Sequence, residues 1–422
     1  MVKPDRLGES AVDMEQPRPN RGRLAFIIGA LSAFGPLSLD MYLPSLPALS
    51  SELGASAAQG QLTLTACLVG LALGQVVAGP LSDTLGRRRP LLVGLAMYTV
   101  ASLLCALAPS APVLIALRFV QGIAGSAGIV IARAVVRDLY SGTAMARFFS
   151  LTMLVSGLAP ILAPVIGGQI LLFTSWRGVF VVLSAIGAGL VCLSGVGLAE
   201  SLPVERRQSG SLGATLRTLG RLLTDRTLVG YGLSSGLGLA AMFAYIAGSP
   251  FVLQGLYGMS PQTFSLTFAG NALGIVAASQ VSGRLAGRVP LRRLMGIGLG
   301  TGLTGGLLLV MAVLADLGLV GVLPALFLVV ASIGLIAPTS GALALAEHPR
   351  DAGSASALLG VLQYVLGGIV APIVGGIGVG TALPLAGIIL LCYIGAVATF
   401  FVLTAPGLNA APESIATPRA EL

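Results

Sequence analysis

Along the chain, long apolar runs alternate with short polar turns. The runs are continuous, whereas the strands of a membrane barrel alternate apolar and polar positions. In hydrocarbon the remaining solution is the helix, which satisfies its own backbone. A helix needs about 20 apolar residues to cross a layer of ~30 Å. Twelve runs qualify, at 24–46, 61–82, 90–108, 112–136, 147–173, 178–199, 227–255, 262–283, 292–315, 318–345, 353–379 and 383–404. The predicted fold class is an all-α membrane protein with twelve transmembrane helices in two pseudo-symmetric six-helix halves. Its expected organisation is a tail at 1–23, a half at 24–199, a linker at 200–226, a half at 227–404 and a tail at 405–422.

Composition sharpens this picture. Of the 422 residues 55% are hydrophobic and only 9% charged, against about 25% charged in a soluble domain. Little of this surface is built to face water. The 58 glycines suit helices that approach one another closely in lipid. Cys67, Cys105, Cys192 and Cys392 each sit inside an apolar run and read as small packing residues, not as a disulfide framework. A single histidine, His348, leaves no His-rich metal site. The first 20 residues are polar, without a short apolar core or a cleavage site, and are read as a tail, not a signal peptide.

The net charge of +8 would suit nucleic acid if it were spread over one surface. Its distribution points to topology instead. Of 24 Lys and Arg residues, all but Arg118 and Arg177 fall in the tails and in turns on one side, including Arg87 to Arg89, Arg133, Arg137, Arg206, Arg207, Arg284 and Arg288. Basic residues concentrate on the cytoplasmic side, so both termini are expected there and no nucleic-acid partner is expected.

The two halves echo each other. "APVIGG" at Ala163–Gly168 recurs as "APIVGG" at Ala371–Gly376. "GPLSDTLGRRRP" from Gly79 has a fainter counterpart, "GRLAGRVPLRRL" from Gly283, in which Gly287 replaces Asp83. A duplicated six-helix unit suits a machine that rocks about a site near the midplane.

These motifs resemble the major facilitator superfamily over essentially the whole chain. "GPLSDTLGRRRP" is similar to its signature between helices two and three, through Gly79, Asp83, Gly86, Arg87 and Arg88. "RFVQGIAGSAGIVIARAVVRD", Arg118 to Asp138, resembles the fourth-helix signature of proton-coupled drug exporters. "GLAPILAPVIGG" resembles the fifth-helix antiporter signature, through Gly157, Pro160, Pro164, Gly167 and Gly168, with Ala163 where that pattern has Gly. With "LDMYLPSLP" added, the chain looks most like the Bcr/CflA group of 12-helix drug:proton antiporters, which includes bicyclomycin and phenicol resistance transporters. The resemblance implies a monomer in a bacterial inner membrane, with small molecules, protons and the bilayer as partners. It implies no cofactor beyond the proton gradient.

Two charges lie within spans. Asp40 follows Arg23 by 17 residues, roughly 25 Å of helix, and closes the first apolar run. Arg118 lies six residues beyond Pro112, roughly 9 Å in, at comparable depth. An ionisable group inside a span costs at least ~2.5–3.5 kcal/mol and marks a functional site by default. Asp40 and Arg118 are therefore the candidates for proton coupling. Arg does not release its proton, so the acid carries it and the cation influences the acid. If the first and fourth helices face a common cavity, as the resemblance implies, the two charges share a neighbourhood. Plainer readings stay open: an acid that ends the helix before Pro44 and Pro47 or snorkels to the interface, and a cation held by backbone carbonyls.

The resemblance also implies a latch in which Asp83 meets the start of the eleventh helix near Asp351 and Ser354, while Arg87 or Arg88 pairs with Asp138. Simple positive-inside anchoring is the alternative. Prolines kink a helix and glycines admit close neighbours, so the fifth-helix motif reads as a proton-tight seam or as ordinary packing. Candidate substrate contacts are Met41, Tyr42, Gln121, Tyr245, Asn271, Gln363 and Tyr364. Three functions remain: proton-driven export of a lipophilic drug-like compound, transport of a native solute such as a sugar, amino acid or dipeptide, and a membrane enzyme or sensor. The sequence has no nucleotide-binding Gly loop, metal cluster or Ser-His-Asp set, so neither an enzyme nor ATP use is expected.

Overall fold

A computed structural model describes residues 21–140, 142–207, 220–347, 352–378 and 380–404. The helices are α1 (Arg21–Asp40), α2 (Ala57–Leu85), α3 (Arg88–Ala106), α4 (Ala111–Leu139), α5 (Gly142–Ile170) and α6 (Trp176–Gly197), then α7 (Arg226–Ser249), α8 (Pro261–Leu285), α9 (Leu291–Leu314), α10 (Gly318–Glu347), α11 (Ala352–Ile377) and α12 (Leu383–Leu403). Among the described residues eleven helical segments are long and apolar enough to cross a bilayer. The apolar stretch Gly157–Ile170 belongs to the twelfth, α5. The chain is an all-α membrane protein of the expected class.

Several boundaries differ from those read off hydropathy. The first run, expected at 24–46, is broken: α1 stops at Asp40, a 3-10 turn follows at Leu43–Ser45, and a short helix runs Leu46–Glu52. Pro44 and Pro47 start these pieces, each at a position where no backbone donor is needed. The seventh run, expected at 227–255, is α-helical only to Ser249 and continues as a π-helical turn, Pro250–Leu256. The fourth, expected at 112–136, runs on to Leu139, so Arg137 lies within a helix and not in a turn, as does Arg133, which the expected run already contained. Polarity alone marked a boundary there, but no Gly or Pro lies between Arg133 and Leu139 to end the helix.

Side chains at the helix starts fix the ends. Ser56 and Gln59 form a reciprocal capping box at α2, and Ser260 caps α8 through the Thr263 N–H. The two cap serines occupy equivalent places in the two halves, 204 positions apart.

Glycine sets how closely the helices pack. A Cβ at Gly70 would fall on the Phe119 carbonyl oxygen, and one at Gly122 on the Cys67 carbonyl oxygen. Helices α2 and α4 thus touch backbone to backbone, each offering a glycine at the crossing. Between the halves the described contacts gather on the side away from the arginine-rich turns. There a Cβ at Gly168 of α5 would meet Ser265 of α8 at 2.5 Å, and one at Gly375 of α11 would meet Gln61 and the Ala58 backbone of α2 at 2.6 and 2.8 Å. Gln262 Nε2 donates to the Gly168 carbonyl at 3.0 Å, and the Gly375 N–H donates to Gln61 Oε1 at 2.8 Å. Gln61 and Ser265 are again 204 positions apart, so the repeated APxxGG motif seals two related seams with related residues. One apolar core spans both halves here, joining Tyr42, Leu46 and Leu49 to Tyr245, Phe251 and Phe264.

Overpacking a tight core costs about 1–3 kcal/mol, and backbone atoms cannot swing aside. Gly122→Val is therefore expected to lower the thermal midpoint of the purified protein and its folded yield. A Cβ at Gly157 would meet nothing within 4 Å, so Gly157→Ala is expected to leave the midpoint unchanged or raise it. Equal melting curves for wild type and Gly122→Val would refute the glycine crossing.

Candidate functional site

Both halves line a cavity of about 190 Å³ near the middle of the bundle. Helix α1 contributes Gly35, Pro36, Leu39 and Asp40; α2 contributes Leu71 and Gln75; Ile129 comes from α4 and Pro160 from α5. The second half supplies Met242, Phe243, Tyr245 and Ile246 of α7, Phe268, Asn271, Ala272 and Ile275 of α8, Val330 of α10 and Tyr364 of α11. The wall is mostly apolar and aromatic. Tyr245 stacks on Phe268 with centroids 5.4 Å apart, and its hydroxyl accepts from Asn271 Nδ2 at 2.8 Å. Asp40 is 7% exposed and forms no hydrogen bond or ion pair with any described residue. Its carboxylate thus borders the cavity as an unpaired acid.

Arg118 occupies a separate site. It is fully buried, donates from Nη1 to the Ser38 carbonyl at 3.1 Å and to Gln121 Oε1 at 2.5 Å, and lies over the Tyr42 and Phe180 rings at 4.3 and 5.6 Å. Its Nε and Nη2 have no hydrogen-bond partner among the described residues. Ring contacts offset about 0.5–2 kcal/mol of a buried cation's cost, less than the several kcal/mol that burying the charge takes.

Arg118 reaches α1 two residues before Asp40, at the Ser38 carbonyl, yet no ion pair joins the two charges among the described residues. Helical rotation explains why. Ser38 and Asp40 are two residues apart, about 200° around the helix. Ser38 turns into the first half, its hydroxyl 2.6 Å from the Tyr98 hydroxyl, while Asp40 turns to the cavity.

Of the seven expected substrate contacts, Tyr245, Asn271 and Tyr364 line the cavity and four do not. The Met41 carbonyl lies where a Cβ of Gly167 would be. The Tyr42 hydroxyl is 3.1 Å from Thr63 Oγ1. Gln121 is spent on Arg118 and on Ser102, to which its Nε2 donates at 2.7 Å. Gln363 donates to Ser235 Oγ at 3.4 Å. Gln75, Phe243 and Phe268 were not singled out in the sequence. The α8 residues Phe268, Asn271, Ala272 and Ile275 follow the i, i+3, i+4, i+7 stripe of one helix face, which was the available signal. In the fifth-helix motif Pro160 reaches the cavity, Pro164 is buried within the helix, and Gly167 and Gly168 form seams to Met41, just past α1, and to α8.

At the arginine-rich end, Arg87 gathers the signature residues. Its Nε donates to Asp138 Oδ2 at 2.8 Å, and its Nη1 donates to Asp83 Oδ1 at 2.5 Å and to Ser82 Oγ at 2.8 Å. Arg88 turns elsewhere, to the Gly195 carbonyl at 2.6 Å. A Cβ at Gly79 would lie 3.9 Å from Val130 of α4. Residues 351–354, the expected partner of Asp83, lie outside the described side chains. The sequence reading missed Glu200. Its carboxylate accepts from the Arg87, Arg88 and Leu202 N–H groups at 2.7, 3.2 and 3.1 Å and caps the start of α3. No motif flags it, because the contact joins residues more than a hundred positions apart. Gly86 has φ +88° and its Cβ would strike Glu200 and Arg207, so glycine is required there twice over.

Partial burial pushes the Glu200 carboxyl up, but the three N–H donors and nearby Arg207 outweigh it and hold the group below its ordinary range. A depressed carboxylate stabilises the fold above its unfolded pKa of ~4.3 and loses that contribution as pH falls through the folded value. Glu200→Gln is expected to cost about 1 kcal/mol or less at pH 7 and to narrow its gap to wild type near pH 3.5. Melting curves at the two pH values test this; a gap that stays constant would exclude the carboxylate as the cap.

Comparison with known proteins adds four findings. The sequence profile described as Major Facilitator Superfamily matches residues 26–372. The chain is 43% identical to the "Uncharacterized MFS-type transporter YdgK" of Bacillus subtilis over 383 residues, 90% of this chain and 95% of that one. It is 30% identical to the "Bicyclomycin resistance protein homolog" of Haemophilus influenzae over 382 residues, 90% and 96% of the two chains. Among solved structures, that of the nucleoside transporter NupG superposes with a TM-score of 0.74 at 13% identity, covering 90% of this chain and 99% of that one, which establishes likeness of fold.

Proposed function

The chain belongs to the major facilitator superfamily, and on that premise we propose that it exports small lipophilic drug-like compounds in exchange for protons by alternating access. The arginine-rich side faces the bacterial cytoplasm and carries both termini. The observation that carries the reading is Asp40, an unpaired acid bordering a mostly apolar cavity that both halves build. The likeness to a bicyclomycin resistance protein homolog supports drugs as cargo.

The mechanism is competition at Asp40. A proton neutralises the carboxylate when the cavity faces outward, and cargo leaves. Loss of that proton to the cytoplasm restores the charge and readies the site for cargo. Proton and cargo thus favour different states, and their coupling makes the gradient drive export. At about 190 Å³ the cavity is smaller than the ~300–1,000 Å³ of drug-sized sites, so it widens as cargo enters. Arg118 cannot relay the proton. It fixes the end of α1 through the Ser38 carbonyl and so holds Asp40 at the cavity. The Arg87 cluster keeps the first half rigid at its cytoplasmic end, and the APxxGG seams close the outer path while the cavity is served from inside.

In liposomes with an imposed pH difference, wild type is expected to concentrate a phenicol, up to about tenfold per pH unit for one proton per molecule. Asp40→Asn is expected to equilibrate the phenicol without concentrating it. Uphill movement by Asp40→Asn, or by wild type without any proton gradient, would refute proton coupling through this acid. Asp83→Asn is expected to cut transport while insertion stays normal, measured as uptake per molecule of membrane-inserted protein.

A further inference from the structure

Arg133 has no role in the mechanism above. It lies in α4, is exposed, and forms no hydrogen bond or ion pair with any described residue. It is turned away from the groove between α3 and α4. The lipid-side groove between α3 and α4 is lined by Leu117 and Val120, and Arg133 is about 140° around the helix from Val120. It stands one turn beyond Ile129, which lines the central cavity and packs at Gly35 of α1. It is also within electrostatic reach of Tyr364 of α11, a cavity residue of the opposite half. These three relations put the guanidinium at the arginine-rich mouth of the cavity. Gly35 precedes Asp40 by five residues and Arg133 follows Ile129 by four, so the two charges are separated by roughly 13 Å along the bundle.

We infer that Arg133 is a charge-selecting residue, and that the cavity takes uncharged, dipolar molecules and turns away monovalent cations. The inference rests on the export reading and names the substrate class of that same site. Field lines between apolar walls are focused along the cavity, so an entering cation meets Arg133 before it reaches Asp40. An anion passes Arg133 but meets an ionised carboxylate at the deep end. A neutral molecule escapes both penalties. It fits best with a hydrogen-bond donor toward Asp40 and its electron-rich end toward Arg133. Tyr364, Phe243 and Phe268 supply the apolar contact between the two.

The test measures binding of tetraphenylphosphonium, a lipophilic monocation, and of a neutral phenicol to purified full-length wild type, R133K, R133Q and R133E. The readout is the ratio of the two affinities, which cancels any general loss of fold. R133K is expected to keep the wild-type ratio. R133Q is expected to shift it toward the cation, and R133E to shift it at least about tenfold. Raising salt to about 1 M, where the Debye length falls to ~3 Å, is expected to shrink the difference. An unchanged ratio across the four proteins overturns the inference, as does a wild type that prefers the cation, or one that binds neither probe. The export reading fails by a different result, a phenicol that binds but is not moved uphill in liposomes.

Discussion

Close approach of helix backbones is the constraint on which the rest of this structure depends. In lipid the helices gain nothing from burying apolar side chains against one another, because the surrounding tails are equally apolar. Association rests on packing, and packing is densest where side chains are absent. Gly70 and Gly122 let α2 meet α4 at backbone distance, and Gly167 does the same for α5 against the Met41 carbonyl. That last contact is at the break of the first span, one residue past Asp40. The glycine seam therefore also positions the acid.

The same principle joins the halves. Gly168 and Gly375 sit in the two copies of one motif and meet Ser265 and Gln61, residues at the same place in the repeat. Duplication gives two seams of one design, the symmetry that the proposed alternating access calls for. Each seam holds one glycine contact and one glutamine-to-backbone hydrogen bond. Neutral hydrogen bonds net only about 0.5–1.5 kcal/mol. A seam built from them holds closed yet releases for a few kcal/mol, the scale on which a ligand shifts a conformational equilibrium.

Charges are placed by a different rule. Buried ions that must stay charged are wrapped, as Arg118 is by Tyr42, Phe180, Gln121 and the Ser38 carbonyl, and as Arg87 is by Asp83, Asp138 and Ser82. Asp40 has no such partner among the described residues. An unpaired buried carboxylate is costly as an anion, and the cost is lifted by a proton or by a ligand that donates to it. Its lack of partners is thus the chemical property that makes exchange there reasonable, whereas a salt bridge to Arg118 would have satisfied it permanently.

Much of this was determined by the sequence alone. Span number, the one-sided distribution of arginine, the two halves and the two charges inside spans all follow from local hydropathy and composition, which act along each run independently of its neighbours. Prolines 44 and 47 carried the signal for the break after Asp40, but the apolar run at 24–46 masked it. Tertiary structure alone decided which way each helix is turned about its own axis. That rotation left Asp40 and Arg118 without an ion pair among the described residues and took Met41, Tyr42, Gln121 and Gln363 out of the cavity. It also brought Phe243, Phe268 and Gln75 into it. Glu200 met α3 for a related reason: a cap contributed from beyond α6 has no period and no spacing. An apolar run that is greasy all around carries almost no record of which face it shows to its neighbours, because the partners that choose the face lie on other helices.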